Sequence, residues 1–183
     1  ISSSAHLVLL PWFFNFKDPG LAFDAILHLA TAFALVAYFW KDLWSMFFAF
    51  LNTLRTRKIK TVNERLSWFI VVGSIPAVIT GLLFEDIIES SFRSPQLIAV
   101  TLIGFALILW LAEAKGLKKI NLDKIGWKET ILIGLAQVIA LIPGVSRAGI
   151  TMTAGLFCSL NRESAARFSF LLATPVVLGA GLY

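Results

Sequence analysis

The chain has 183 residues, of which 58% are hydrophobic and 15% charged, with a net charge of +5. A soluble domain of this length carries roughly 25% charged residues, so this composition, with six Trp and sixteen Phe, fits a bilayer better than a soluble core. The single cysteine, Cys158, excludes an intrachain disulfide framework, and the positive balance fits the cytoplasmic loops of a membrane protein, with no basic, aromatic-interleaved stretch to suggest nucleic-acid binding.

A membrane-spanning helix needs about twenty mostly apolar residues. The chain opens on a polar cluster, Ser2-Ser3-Ser4-Ala5-His6, followed by an apolar stretch at Leu7–Phe14 that is too short to cross. Spans are expected at Phe23–Trp40, Leu66–Phe84 and Gln96–Ala112, with a shorter apolar stretch at Leu43–Leu54. Thr130–Ile142 and Gly149–Leu160 are apolar but short, and a last span starts at Phe168 and runs to Tyr183. Cys158 lies in one of these runs and reads as a packing residue. The chain starts at Ile1 without an initiator Met and stops inside an apolar run, so a segment of a longer protein is expected.

Residues 55–65 and 113–129 are rich in Lys and Arg, whereas 85–95 are acidic and read as a solvated loop carrying Glu85, Asp86 and Glu89. The two basic segments are separated by two spans and therefore share a side. The positive-inside rule places that side in the cytoplasm. The span at 23–40 then runs inward, Ser2–His6 begins on the outer side, and Thr130–Ile142 rises from the cytoplasm to stop at mid-membrane or nearer the outer face.

It stops at Pro143-Gly144-Val145-Ser146-Arg147-Ala148-Gly149-Ile150-Thr151. Proline lacks an N–H and clashes with the preceding turn, and Gly144 lets the chain bend. A helix restarting near Ser146 offers free N–H groups and a positive dipole end to an anion. Arg147 adds a planar donor fork suited to phosphate, and Ser146 and Thr151 add hydroxyls. An arginine at such depth marks a functional site by default; the plainer alternative is a kink with a snorkelling arginine. Ser3 and His6, three residues apart, fall on one helical face and can act as nucleophile and base, or His6 can protonate a leaving oxygen; a capping serine run with an interfacial histidine is the plainer alternative. His28 falls one turn after Asp24 and reads as a structural pair with it. Gln137, about two turns before the break, can point into the same cavity. Ser3-Ser4-Ala5-His6-Leu7 is weakly similar to Ser146-Arg147-Ala148-Gly149-Ile150, as expected of inverted repeats with interrupted helices around a midplane site.

The run PGVSRAGITMTAGL, with QVIALI before it and ESAARFSFLLATPVVLGA after it, resembles the bacterial undecaprenyl-diphosphate phosphatase family, also called bacitracin-resistance phosphatases. ISSSAHL and FDAILHLATAFALVAYFW are similar to that family's first motif and first long helix, so the resemblance covers essentially the whole chain. It implies an all-α integral membrane protein, a multi-spanning helical bundle with inverted repeats and re-entrant helices. The chain would be a single transmembrane domain, with a first repeat at roughly 1–112 and a second from roughly 130. The implied reaction removes the terminal phosphate of undecaprenyl diphosphate, a lipid carrier for peptidoglycan, at the outer side of the bacterial plasma membrane, with a divalent cation, Mg2+ or Ca2+. It implies catalytic roles for Ser3, His6 and Arg147 and phosphate binding by Gly144, Ser146, Arg147 and Thr151. The family's paired glutamates, natural ligands for a hard cation, would fall before Ile1. Ala148 stands where the family often has serine, and Ala5 where it often has glycine. A polyprenyl diphosphate and the membrane are the expected partners, and a homodimer is an allowed assembly. The competing readings are an inverted-repeat lipid flippase or secondary transporter, a membrane phosphatase built on two histidines, and a structural membrane subunit.

Overall fold

The computed structural model describes residues 2–17, 20–91 and 94–182, with side chains at all of these except 21, 22, 24, 85–91 and 180–182. No proline or glycine interrupts residues 21–56, and they form one helix. The stretches expected separately at Phe23–Trp40 and Leu43–Leu54 are joined through Lys41 and Asp42, which are polar but do not break a helix. Among the described residues there are seven α-helices: α1 (Ser3–Phe14), α2 (Leu21–Thr56), α3 (Val62–Ser91), α4 (Pro95–Lys115), α5 (Trp127–Ile139), α6 (Arg147–Phe157) and α7 (Arg162–Leu182), with a 3-10 turn at Leu122–Lys124. The backbone of α3 runs on to Ser91, so the acidic segment begins as helix rather than loop; the side chains of Glu85, Asp86 and Glu89 lie outside the described residues, as does Tyr183.

Three of these helices are long and apolar enough to cross a membrane, over Ala25–Thr56, Val62–Phe84 and Pro95–Lys115. They turn apolar side chains outward: Phe33 is 76% exposed, Leu82 68% and Val100 70%. A soluble surface does not carry such a continuous apolar cover. This is a multi-pass membrane bundle. α7 is different. It packs against α2, α3 and α6 and buries Phe168, Leu171, Leu172, Ala173 and Val177, so it is the central helix. It begins at Arg162, six residues before the expected span, and Arg167 near its start pairs with Asp42 of α2 at 2.7 Å. Cys158 packs against the core.

The segment from α5 to α6 enters and leaves on one face. The backbone N–H groups of Lys119 and Ile120 donate to the Ser159 carbonyl, and that of Asn161 donates to the Ile120 carbonyl. The start of α5 and the end of α6 are thereby tied together on the face that carries both basic segments. With 13 and 11 residues, the two arms reach about 20 and 16 Å at 1.5 Å per residue. That is roughly half of the bilayer, whose apolar core is about 30 Å thick. α1 reaches about 18 Å from its 12 residues and leads toward the opposite face, where α2 begins.

A ring contact and a backbone contact set this hairpin against α3. α5 runs parallel to α3, with Phe69 and Trp127 in edge contact at 4.7 Å. A Cβ placed on Gly134 would lie 2.6 Å from the Gly73 carbonyl oxygen. Small residues allow such close approach between membrane helices. Most buried hydroxyls return to their own helix: Ser74 donates to the Ile70 carbonyl, Thr130 to Gly126, Thr153 to Gly149 and Thr174 to Phe170, at 2.7–2.9 Å.

Gly134→Ala is expected to lower stability by about 1–3 kcal/mol, because the new methyl meets backbone rather than a movable side chain. Gly104→Ala, with open space around it, serves as the control. Thermal unfolding of the two variants in detergent measures the difference.

Candidate active site

The break is built by local geometry and held by α4. After Ile139 the chain continues through i to i+3 bonds, from Ala140 N to the Gln137 carbonyl, Leu141 N to Val138, Ile142 N to Ile139 and Val145 N to Ile142. Pro143 cannot donate. Gly144 takes φ +96, where only glycine is unstrained. The hydroxyl of Thr101 donates to the Pro143 carbonyl at 2.8 Å and to the Ile98 carbonyl at 3.0 Å. A Cβ on Gly144 would stand 2.0 Å from Thr101 Oγ1 and 2.7 Å from the Ile98 carbonyl oxygen. Thr101 is a residue that sequence reasoning missed. Threonines in apolar helices usually bond their own backbone, and nothing local marks this one as reaching across 42 residues of chain.

α6 restarts at Ser146, whose Oγ accepts the Gly149 N–H at 3.1 Å. α1 starts in the same way: Ser2 Oγ accepts the Ala5 N–H at 3.4 Å. Both caps are in the extended region, with φ/ψ of −91/108 at Ser2 and −67/123 at Ser146. The equivalence therefore pairs Ser2 with Ser146 and Ser3 with Arg147, one residue away from the alignment expected from the sequence. In each helix the first N–H groups, those of Ser3 and Ser4 and of Arg147 and Ala148, lack intrahelical acceptors.

The two starts meet in one cavity of about 410 Å³. Its wall includes Ser2, Ser3, Ser4 and His6 from α1, Ser146, Arg147 and Ala148 at the break, and His28 and Thr31 from α2. Apolar residues of α7, Phe170, Ala173 and Val177, close it. The expected residues Ser3, His6, Ser146 and Arg147 are thus brought together, although 140 positions separate the two clusters. Two helix N-termini and a guanidinium give the cavity a positive potential. No ion pair or hydrogen bond engages the Arg147 guanidinium among the described residues.

His6 Nδ1 donates to the Ser2 carbonyl at 2.7 Å, because a carbonyl oxygen can only accept. That bond fixes the tautomer and leaves Nε2 for proton transfer. His6 is oriented by Ser2, not by Ser3, whose hydroxyl makes no hydrogen bond among the described residues.

Other expected residues lie elsewhere. Thr151 is buried one turn into α6, and its hydroxyl donates to the carbonyls of Arg147 and Ala148 at 2.8 and 3.3 Å. It holds the first turn of α6 and does not line the cavity. Gly144 shapes the break from behind, against α4. Gln137 is 1% exposed, with neither amide atom hydrogen-bonded, and also misses the cavity: it falls on the same helical face as Gly134, which meets α3. His28, expected to be structural, does line the cavity. The side chain of Asp24 lies outside the described residues.

A hard divalent cation prefers carboxylate oxygens. The described wall offers hydroxyls, imidazoles and a guanidinium, and no group of three His, Cys, Asp or Glu able to hold a metal occurs among the described residues. These residues alone do not fit a Mg2+ or Ca2+ site.

Next to this cavity lies an apolar groove of about 430 Å³ between α1 and the start of α2. It is lined by Leu10, Pro11, Phe16 and Phe23 and shares Ser3, His6, Leu7 and Leu27 with the polar cavity. An anionic head and an apolar chain can therefore lie end to end across Ser3 and His6.

Gly144→Ala is expected to lower the thermal midpoint and to disturb the Arg147 wall. Adding Thr101→Ala should recover only part of the loss, since the Ile98 carbonyl and the positive φ remain. Melting curves of the single and double variants test this.

The model of the family "Bacitracin resistance protein BacA" matches residues 1–183. An undecaprenyl-diphosphatase of Moorella thermoacetica is 50% identical over the whole chain, which covers 68% of that relative. An undecaprenyl-diphosphatase of Geotalea daltonii is 51% identical with the same coverage, and undecaprenyl-diphosphatase 1 of Pseudoalteromonas translucida is 49% identical. With the family model matched over residues 1–183 and about half of its residues shared with these relatives along its entire length, the chain belongs to the bacitracin resistance protein BacA family.

Proposed function

We propose that the protein is a membrane phosphatase that hydrolyses undecaprenyl diphosphate to undecaprenyl phosphate and inorganic phosphate, which recycles the lipid carrier of peptidoglycan synthesis. One observation carries this reading: Arg147, His6 and Ser3 line a single cavity into which two helices aim their N-termini, and that cavity opens onto an apolar groove. The relatives' shared name, undecaprenyl-diphosphatase, supports the same chemistry. A flippase or transporter needs the anion site but has no use for an oriented histidine beside a serine hydroxyl, so the arrangement favours hydrolysis.

In this reading the terminal phosphate sits against the Arg147 fork and the free N–H groups of Arg147, Ala148, Ser3 and Ser4. These donors are already in place when charge builds on the phosphoryl oxygens, which is where preorganised dipoles accelerate a reaction most. Either the Ser3 hydroxyl or a water attacks the terminal phosphorus. The bond from phosphorus to the bridging oxygen breaks, and its electron pair leaves on the lipid monophosphate. His6 Nε2 takes the nucleophile's proton or supplies one to the leaving oxygen. If Ser3 attacks, a phosphoserine forms and a water then hydrolyses it. The polyprenyl chain lies along Leu7, Leu10, Phe23 and Leu27. A divalent cation belongs to the proposal. Loop charge supports a plasma-membrane orientation with the cavity reached from the outer side.

Arg147→Ala is expected to reduce phosphate release by about a hundredfold or more while helicity is unchanged; Arg147→Lys keeps the charge, loses the fork and should fall between. Near-normal turnover of Arg147→Ala would remove the phosphate-clamp role. A radiolabel retained on Ser3 after acid quench would select the serine route over water. Chelation of divalent cations should stop turnover, and added Mg2+ or Ca2+ should restore it.

A further inference from the structure

The cavity has a third wall that the reaction above leaves unused. α2 contributes Leu27, His28, Thr31 and Leu35 to it. Leu27 and Leu35 are apolar, and the Thr31 hydroxyl donates to the Leu27 carbonyl at 2.9 Å. Of these four side chains, His28 is the one with a ring N–H that can donate to an anion in the cavity. Apart from His28, Thr31 and Tyr38, α2 is apolar from Ala25 to Trp40. The remaining walls hold His6 on α1 and Arg147 on α6 as titratable or permanently charged groups, and α5 and α7 present only Ala140, Phe170, Ala173 and Val177. Asp24, one turn earlier on α2, has its side chain outside the described residues.

We propose that His28 is a substrate-binding residue of this site, whose imidazole N–H donates to the diphosphate group from α2 while Arg147 holds it from α6. This inference rests on the phosphatase reading and adds a second anion contact to it. A diphosphate offers more acceptor oxygens than the monophosphate product. A second donor in the cavity that holds Arg147 therefore favours substrate over product.

The test uses the purified, reconstituted protein and its His28→Gln and His28→Leu variants, each first shown by circular dichroism and melting to be folded. The kinetics of phosphate release from undecaprenyl diphosphate give KM and kcat separately, and calorimetry measures the binding of inorganic pyrophosphate. His28→Leu is expected to raise KM and weaken pyrophosphate binding about tenfold or more, in line with loss of a hydrogen bond to a charged group. His28→Gln, which keeps a donor, should recover part of the affinity, with kcat changed less than KM in both variants. Pyrophosphate affinity within twofold of the parent in His28→Leu, or an unchanged KM in that variant, overturns the proposal. If the parent binds pyrophosphate through His28 but releases no phosphate, the phosphatase reading fails and the anion contact stands. If the parent hydrolyses normally and neither variant differs from it, the contact fails and the phosphatase reading stands.

Discussion

A polypeptide that stops being helical half-way through a bilayer must find partners for the backbone groups it frees, because the hydrocarbon offers none. The rest of this structure depends on how that is done at Pro143–Ser146. The Pro143 carbonyl takes the Thr101 hydroxyl of α4, the residues before it close into i to i+3 turns, and Ser146 caps the helix that follows. The first N–H groups of α6, beside Arg147, lack intrahelical acceptors and start at the cavity wall, where an anion can accept from them.

The same solution is used twice. Ser2 caps α1 as Ser146 caps α6, and the two helices lead away from the cavity toward opposite faces. Their positive ends therefore add at one place rather than cancel. The equivalence puts Ser3 where the other half has Arg147, so one cap geometry presents a hydroxyl on one side and a guanidinium on the other. His6 lies one turn into α1, with its tautomer set by the Ser2 carbonyl. A charge-holding wall and a proton-moving wall follow from one backbone motif carrying different side chains.

Much of this was legible in the linear chain. The spans follow from length and hydropathy, and the break follows from Pro143-Gly144 in an apolar run. The depth of the break follows from the basic segments at 55–65 and 113–129 together with the shortness of the arms. Where the reading failed, it had assigned a side chain a direction. Gln137 was allowed into the cavity by its closeness to the break, and Thr151 was given to phosphate by the family resemblance; Gln137 misses the cavity, and Thr151 spends its hydroxyl on its own helix. His28, read as pairing with Asp24, also lines the cavity, because α2 passes it at that turn; the side chain of Asp24 lies outside the described residues. The joined α2 shows the same limit, since a polar Lys41-Asp42 reads as a boundary only until Arg167 is seen to pair with Asp42 from another helix.

Residue types and spacing were enough to set the class of molecule, the side on which its basic segments gather and the two clusters that carry the chemistry, because hydropathy, helix breaking and capping are local properties. The rotation of each helix about its axis, and hence which polar groups share a cavity, was decided only in the folded bundle. That rotation is fixed by contacts between distant positions, Gly73 against Gly134 and Gly144 against Ile98, where one backbone approaches another too closely for a side chain to fit between. No local pattern records which glycine will meet which carbonyl, so Ser3 and Arg147 could be named in advance but could be placed together only by the tertiary structure.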